Sequence, residues 1–576
     1  MRRVVLPLLL YFAISIVWTW PLSGRMSDSL PVGQDSTENV WKFWWLSKSV
    51  FQLHQTPYWC DYQLHPEGIS LLFSNPIPLY GIVSAPVLWR PPSLPVLIAL
   101  ANSWLFLTFP LSAWCCYLLC RRITGSASAS LVGGFLFGFM PLRMAVLTSI
   151  NVASTYWLPL FLLAGLPARG ERDGPAPRRG LLAGLCLVGA FLTSLTALFF
   201  LVLLVPFSIA FRWARPAAVR PVGREVRFWL WAAVPVLCLA LIMLASAPRS
   251  TFTQQPFRAP EARVSQKLSA SPAEFFQRSD RGQIQRYSGD RRDHPLNPFY
   301  VGWSCLALCL LAAPRASSRL HGGFFLLLLI SLVLALGPEW SIRFGGAERA
   351  VKLPYAYFRD LGPPLSLFRT PYRFMHMAYL AISVLSALGI RYAADRVRSM
   401  SGASRSCGRA LILLAGIAVL PDFYQGTIRM KSVGVDPMFE RIRRDGEQVG
   451  SVLILPAVQY SDIVPQRLGQ VVMDRPIPIS TVTRVDYDRF PRFGKDRVLG
   501  MLLRDPVPPE LGSHRIEELG KWNVGWIAVP HGSRMTNDVL SRFLGGRGVT
   551  PIARGTTHEV FRVPHGSAAA PPSSDP

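Results

Sequence analysis

Apolar residues in this chain come in long blocks instead of alternating with polar ones. The blocks cover residues 4–22, 94–120, 127–147, 152–166, 181–211, 228–244, 299–313, 324–336, 374–390 and 410–420, parted by Arg-rich or Pro-rich breaks. A helix rising 1.5 Å per residue needs about 20 apolar residues to cross hydrocarbon, so the blocks predict membrane-spanning helices. Block 181–211 is too long for one crossing, and Thr193, Ser194 and Thr196 interrupt its middle, which predicts a tight pair of helices. Segment 69–89 is apolar too, but Pro76, Pro78 and Pro86 break it and Asn75 lies inside, so it reads as a dip into the membrane. The count comes to about eleven helices. The first follows Arg2 and Arg3 and leads into TWPLSGRM, which has no small-x-small cleavage site, so an uncleaved helix is expected.

Beyond Asp422 the apolar runs shorten to strand length: SVLILPA from Ser451, IPISTV from Ile477, VGWIAVP from Val524 and HEVFRVP from His558. The amphipathic stretch HRIEELGKW, from His514, predicts a helix among them. The expected fold class is therefore an all-α polytopic membrane domain over residues 1–421 with a small soluble α/β domain over 422–565. Residues 566–576, rich in Ala, Pro and Ser, read as a disordered tail.

Composition agrees with lipid as the solvent. Half of the 576 residues are hydrophobic, 16% are charged, and the mean hydropathy is positive. The net charge of +26 raises nucleic acid as a partner. However, no RNA-binding aromatic motif, zinc-finger spacing or phosphate-cradling GxxxxGKS loop accompanies it, so no nucleic acid is expected. Much of the excess lies between apolar blocks, at Arg121 and Arg122, residues 169–179, 212–227, Arg315 and Arg319, and 391–409. Basic loops stay on the cytoplasmic side. That places the N-terminus inside, and loops 25–89 and 248–298 outside together with the C-terminal domain. The second of these loops is itself Arg-rich, which long loops tolerate. Seven of the nine cysteines lie in or at the ends of apolar blocks and none in the C-terminal domain, which suits buried filler better than disulfides or a metal site.

The first loop reads LPVGQDSTENVWKFWWLSKSVF and then TPYWCDYQLHPEGISLLFSNPIPLYG. Asp35 and Glu38 stand one turn apart if the following stretch is helical, with Trp41, Trp44 and Trp45 near one face and Lys42 and Lys48 opposite. Such a helix should lie in the membrane interface, its tryptophans an aromatic belt before they are a sugar platform. Asp35 is equally readable as a helix N-cap or as a base. Arg143 in MPLRMAV suits either a functional charge at the end of an apolar run or a snorkelling side chain. Asn151 suits sugar binding or the cap of the next helix. Arg369 and Arg373 in FRTPYRF offer two planar forks to a phosphate, or a lipid headgroup contact, or a salt bridge to Asp360. Glu67 in HPEG fits a sugar ligand or a cap, and His65 a structural role.

The order of these features resembles bacterial membrane glycosyltransferases of the C superfamily, the polyprenyl-phosphate-sugar-dependent kind. It runs from a short first helix through a G-x-D loop, an aromatic helix and HPEG before a Pro-broken dip to CRRITGSASASLVGGFLFGFMPLR. The later LGPEW and LPYAYFRDLGPPLSLFRTPYRF segments resemble a branch of multispanning proteins assigned there. The resemblance implies inverting transfer of a sugar from a polyprenyl-(di)phosphate donor to an extracytoplasmic glycan, lipid or protein acceptor, with membrane lipids around and no cofactor. It also implies an inner-membrane, multi-pass location. Asp35 matches the family's loop carboxylate, which deprotonates or orients the acceptor, with Glu38 the alternative. Arg143, Arg369 and Arg373 would hold the lipid phosphate, and Asn151 and Glu67 the sugar. Many such transferases carry an acidic residue in the second external loop, and the related branch often has His where Val146 and Ser149 stand. The loop here is SINVASTYW, so no metal site is expected, and the copy is either metal-independent or has drifted from catalysis. The competing class is a non-enzymatic lipid-linked glycan translocator or envelope polysaccharide assembly factor. A translocator should show an internal repeat with polar midplane helices, and the polar residues here gather at one face.

Overall fold

The computed structural model describes residues 2–33, 35–166, 176–213, 222–253, 262–278, 297–315, 318–344, 347–362, 368–424, 426–445, 450–455, 460–480, 497–502, 510–511, 518–519, 523–530, 542–543, 551–556 and 558–563. The helices that frame it are α1 (Arg2–Trp18), α2 (Ser36–Leu46), α3 (Leu94–Thr124), α4 (Ala127–Gly138), α5 (Pro141–Ala145), α6 (Trp157–Gly165), α7 (Ala176–Thr193) and α8 (Leu195–Trp213). They continue as α9 (Val222–Ser246), α10 (Trp303–Leu310), α11 (Arg319–Ala335), α12 (Met375–Arg398), α13 (Gly402–Phe423), α14 (Met438–Arg444) and α15 (Tyr460–Met473).

Helix forms over every apolar block expected to be helical. Five segments among the described residues are long and apolar enough to cross a membrane: Leu94–Thr124, Ala127–Ala145, Gly223–Ser246, Pro371–Arg398 and Gly402–Phe423. The apolar stretches Val4–Trp18, Ile150–Gly165, Leu195–Phe211, Trp303–Arg315 and Arg319–Ala335 are shorter. Local signals set the ends. α3 has Ser93 at its N-cap and a proline in its first turn, carries Arg121 and Arg122 in its last turn, and stops at Gly125 with φ +69°. α3 and α4 then pack so closely that a Cβ at Gly138 would stand 2.4 Å from the Ala113 Cβ. The long block at 181–211 breaks at Ser194, where the Asn75 Oδ1 accepts from the Leu195 N–H at 2.6 Å and the Ser194 hydroxyl accepts from Ala197. Segment 69–89 holds only the short helices Pro78–Val83 and Ala85–Leu88, about 9 Å and 6 Å long at 1.5 Å per residue, so it does not span as a helix.

The C-terminal region contains a four-stranded sheet in the order Ser451–Ile454, Val524–Pro530, His558–Arg562, Ala553–Arg554. Its first pair is parallel and the others antiparallel. Three expected strands are thus present. The fourth, IPISTV, is absent from this sheet, because the described part of it pairs with the first loop: Leu64 donates to Ile479, His65 to Ile477 and Ile477 to Tyr62, at 3.2, 3.1 and 2.9 Å. The expected helix from His514 lies outside the described residues except for Glu518 and Leu519, as does the tail from 566. A helix the sequence pattern did not predict, α15, packs against α2.

The aromatic helix α2 also departs from expectation. Trp41, Trp44 and Trp45 are buried at 3%, 5% and 0% exposure, inside protein and not in lipid. Trp41 and Trp45 stack with ring centroids 6.1 Å apart, and Trp44 meets Tyr62 edge-on at 5.9 Å. Gln470 of α15 meets Trp41, and Tyr62 of the first loop meets Trp44 and Trp45.

Candidate active site between the first two loops

Asp35 occupies the N-cap position of α2, yet its side chain makes no capping bond. Its Oδ2 instead accepts from the Ser149 hydroxyl at 2.6 Å, across the gap to the second loop. Beside it the Asn39 amide donates to the Thr148 carbonyl at 2.7 Å. Gly33 makes this approach possible. Its φ of +150° and a virtual Cβ only 2.4 Å from the Thr148 Cγ2 leave no room for a side chain. The G-x-D spacing therefore has a mechanical basis: the glycine lets the loop close on Thr148, and two residues later the carboxylate reaches Ser149. Asp35 is half-buried, with part of its surface open to a ligand.

Glu38 is placed differently. The Lys42 ammonium stands 2.8 Å from it and the Arg467 guanidinium 3.4 Å away, and both cations are buried. Its carboxylate is thus held in ion pairs with two elements, α2 itself and α15. Glu38, Trp41, Lys42 and Arg467 line a narrow cleft with Leu71, Ser74 and Pro76. Just past the end of α2, Lys48 pairs with Asp474 at 2.8 Å. Burial alone would lower the Lys48 pKa, but the hydrogen bond and charge of Asp474 outweigh it and hold the ammonium above its ordinary value.

Arg143 is fully buried. It donates to the carbonyls of Ala153 (2.7 Å) and Thr108 (3.3 Å) and to the Thr155 hydroxyl (2.7 Å), with its guanidinium 5.2 Å from the Phe109 ring centre. Neither snorkelling nor open display to a phosphate describes it: its planar end is occupied by protein acceptors and ties the second loop to α3. The Tyr80 hydroxyl meets those of Ser154 (2.5 Å) and Tyr156 (3.0 Å) on the same loop. Asn151 caps neither neighbouring helix, since Ser149 and Tyr156 hold the N-cap positions and neither makes a side-chain cap bond. It is half-buried, two residues from Ser149.

Arg369 and Arg373 are half-buried on either side of the turn at Pro371. Arg373 donates to the Thr196 hydroxyl at 3.1 Å, at the break between α7 and α8. Asp360 is mostly exposed and pairs with Arg359 at 3.6 Å. His376 is fully buried, and neither ring nitrogen has a hydrogen-bond partner among the described residues. It stands at the start of α12, three residues after Arg373, with its ring 6.1 Å from that of Phe200. Glu67 is half-buried in the turn before Ile69–Ser70, and its neighbour His65 reaches Asn523 of the C-terminal region at 3.2 Å. The structure thus gathers Asp35, Arg143 and Asn151 about the second loop and puts Glu67 at the seam with the C-terminal region. Ser149, Arg467 and His376 were not legible as site residues. Each is an ordinary residue in sequence, and only the chain path brings it to the site.

No protein-family model and no curated protein sequence matches the chain. Solved structures do. The arabinofuranosyltransferase AftD from Mycobacteria superposes with TM-score 0.54 at 12% identity, over 99% of this chain and 40% of that one. The Archaeoglobus fulgidus oligosaccharyltransferase tethered to an acceptor peptide superposes with TM-score 0.50 at 11% identity, over 95% of this chain and 71% of that one. ArnT from Cupriavidus metallidurans, bound to undecaprenyl phosphate, is a looser likeness: TM-score 0.45 at 10% identity, over 98% and 99%. The chain has the fold of the multispanning membrane glycosyltransferases of the C superfamily.

Proposed function

We propose that this protein transfers a sugar from a polyprenyl-(di)phosphate donor to an extracytoplasmic glycan, lipid or protein acceptor, with inversion and without a metal. The observation that carries the reading is the Asp35 carboxylate, half-exposed at the start of α2 and joined to Ser149 on the second loop. The fold shared with AftD and the oligosaccharyltransferase supports the reaction class. An acceptor hydroxyl or amide attacks the anomeric carbon from the face opposite the phosphate. The new C–O or C–N bond forms as the C–O bond to phosphate breaks. Asp35 takes the proton, and the phosphate leaves with the bonding pair. Arg369 and Arg373 suit the leaving phosphate, since planar guanidinium groups match its oxygens. Asn151 and Glu67 suit sugar hydroxyls. Arg143 holds the second loop and so acts through Ser149 and Asn151.

This reading places the protein in the cytoplasmic membrane, with residues 422–565 and both site loops outside. The test uses full-length protein in lipid nanodiscs with a panel of polyprenyl-phosphate pentoses and hexoses, following release of polyprenyl phosphate. Asp35→Asn should lower turnover by about 10² to 10⁴-fold with donor affinity little changed. Full turnover in Asp35→Asn with loss in Glu38→Gln would move the base to Glu38. Full turnover in both would end the carboxylate mechanism.

A further inference from the structure

The first loop and the C-terminal region are joined on both sides of Asp35. Ahead of it, Ser29–Pro31 pairs antiparallel with Met430–Ser432, and Val32 donates to Arg429 and Val433 to Asp28, each at 3.0 Å. After it, α2 and α15 run side by side in the same direction. Glu38 meets Arg467 at 3.4 Å, Trp41 Nε1 donates to the Gln470 Oε1 at 2.8 Å, and Lys48 meets Asp474 at 2.8 Å. Beyond α2, Tyr62–His65 exchanges backbone hydrogen bonds with residues 477–479.

The polarity of the helix pair is ordered. α2 presents an acid first and the chain then a base; the partner presents a base and then an acid. A one-turn slip would part Glu38 from Arg467 and Lys48 from Asp474. Arg467 is 1% exposed, so the slip would part a buried guanidinium from a carboxylate, which is unfavourable. One register is therefore strongly preferred. Of the two cations on Glu38, Lys42 belongs to α2 itself and moves with it. Arg467 comes from another element, so it alone of the two can fix the first turn of α2 against the rest of the molecule. On the opposite side that same turn rests on the second loop through Asp35–Ser149 and Asn39–Thr148.

We propose that Arg467 is a positioning residue: from the C-terminal region it sets, through Glu38, where the Asp35 carboxylate points. The proposal rests on the assignment of Asp35 as the base. It makes the C-terminal region part of the catalytic apparatus and not a cover over it.

The test is a double-mutant cycle in full-length protein in nanodiscs, with whichever polyprenyl-phosphate sugar of the panel is turned over. Arg467→Met should lower kcat roughly 10- to 100-fold, the scale of a misplacement of about 1 Å, with donor KM within about twofold of wild type. Arg467→Lys, which keeps the charge, should recover most of it. In an Asp35→Asn background Arg467→Met should add less than about twofold, because the group it aims is already gone. If Arg467→Met fails to fold, Glu38→Gln removes the same attraction from the other side with no change of volume and should show the same non-additive loss. Equal losses in both backgrounds would mean general destabilisation and overturn the proposal. So would wild-type kcat in Arg467→Met while Asp35→Asn is impaired. Full turnover in Asp35→Asn would instead overturn the base assignment beneath it.

Discussion

Arg143 separates a structural reading from a ligand-binding one by experiment. Arg143→Met keeps much of the side-chain volume and removes the donors. The Ala153 carbonyl and the Thr155 hydroxyl, each 2.7 Å from the guanidinium, then lose a charged donor in a buried place. A stranded buried acceptor costs about 1–3 kcal/mol, so the pair sums to about 2–6. Against this, a buried cation has been removed and no partner anion is left behind, which returns part of the desolvation cost. The net expectation is a loss of about 2–4 kcal/mol. Arg143→Lys should fall between, because an ammonium lacks the planar fork that serves two acceptors at once. The assay is thermal unfolding in detergent followed by tryptophan fluorescence, alongside binding of polyprenyl phosphate. The expected result is a lower Tm, with donor binding by the surviving folded fraction near wild type. An unchanged Tm with donor binding abolished would refute this reasoning and return Arg143 to the phosphate.

Gly33→Ala should cost about 1–3 kcal/mol through its positive φ and the Thr148 methyl 2.4 Å from the new Cβ, and should lower turnover. Thr148→Ser, which deletes that methyl, should recover part of the loss; no recovery would mean that the φ alone is responsible. For sidedness, an impermeant maleimide on intact cells, in a background lacking the exposed Cys238 and Cys407, should label Arg554→Cys and leave Arg398→Cys unlabelled. The opposite pattern would invert the topology.

The helices were legible because lipid-facing and buried helical residues are both apolar, so the blocks declare themselves without tertiary information. The break at Ser194 was legible too, from three hydroxyl residues, Thr193, Ser194 and Thr196, close together in an apolar run. Its partner Asn75 was not, since a cap supplied from more than a hundred residues away leaves no local pattern. Trp41, Trp44 and Trp45 misled for a related reason: an aromatic face looks the same whether lipid or another helix will cover it. The missing information was α15 and the first loop's Tyr62: Arg467 and Gln470 of α15, and Asp474 just past its end, read in sequence as polar surface. IPISTV had the composition of a strand and does pair, but periodicity specifies that a strand forms and not which edge it joins. At the site, Asp35 and Gly33 stood out by spacing. Arg143 stood out as a charge in an apolar run, a pattern that cannot distinguish a cation aimed at a ligand from one enclosed by carbonyls.

The stitching of the first loop to the C-terminal region constrains the number of crossings. Backbone pairing between Ser29–Pro31 and Met430–Ser432 requires both segments to be on one side of the membrane, so an even number of crossings separates them. Among the described residues the apolar helices between are α3, α4 with α5, and α6 to α13, which is ten. Contacts between helix ends follow the same alternation. The Ser194 break meets Asn75 of the first loop, Trp157 at the start of α6 bonds to Thr193 at the end of α7, and Arg373 before α12 bonds to Thr196 at the start of α8. At the opposite ends, Gly165 closing α6 abuts Ser208 late in α8, and Arg315 after α10 lies over Tyr392 late in α12. Treating α7 and α8 as one kinked crossing would leave an odd number between two paired strands, which is not permitted unless a second helix also fails to cross. Ten crossings after α1, the count we propose, would satisfy the pairing without such a correction and would put Asp35, Ser149, Asn151, Arg369 and Arg467 on one face.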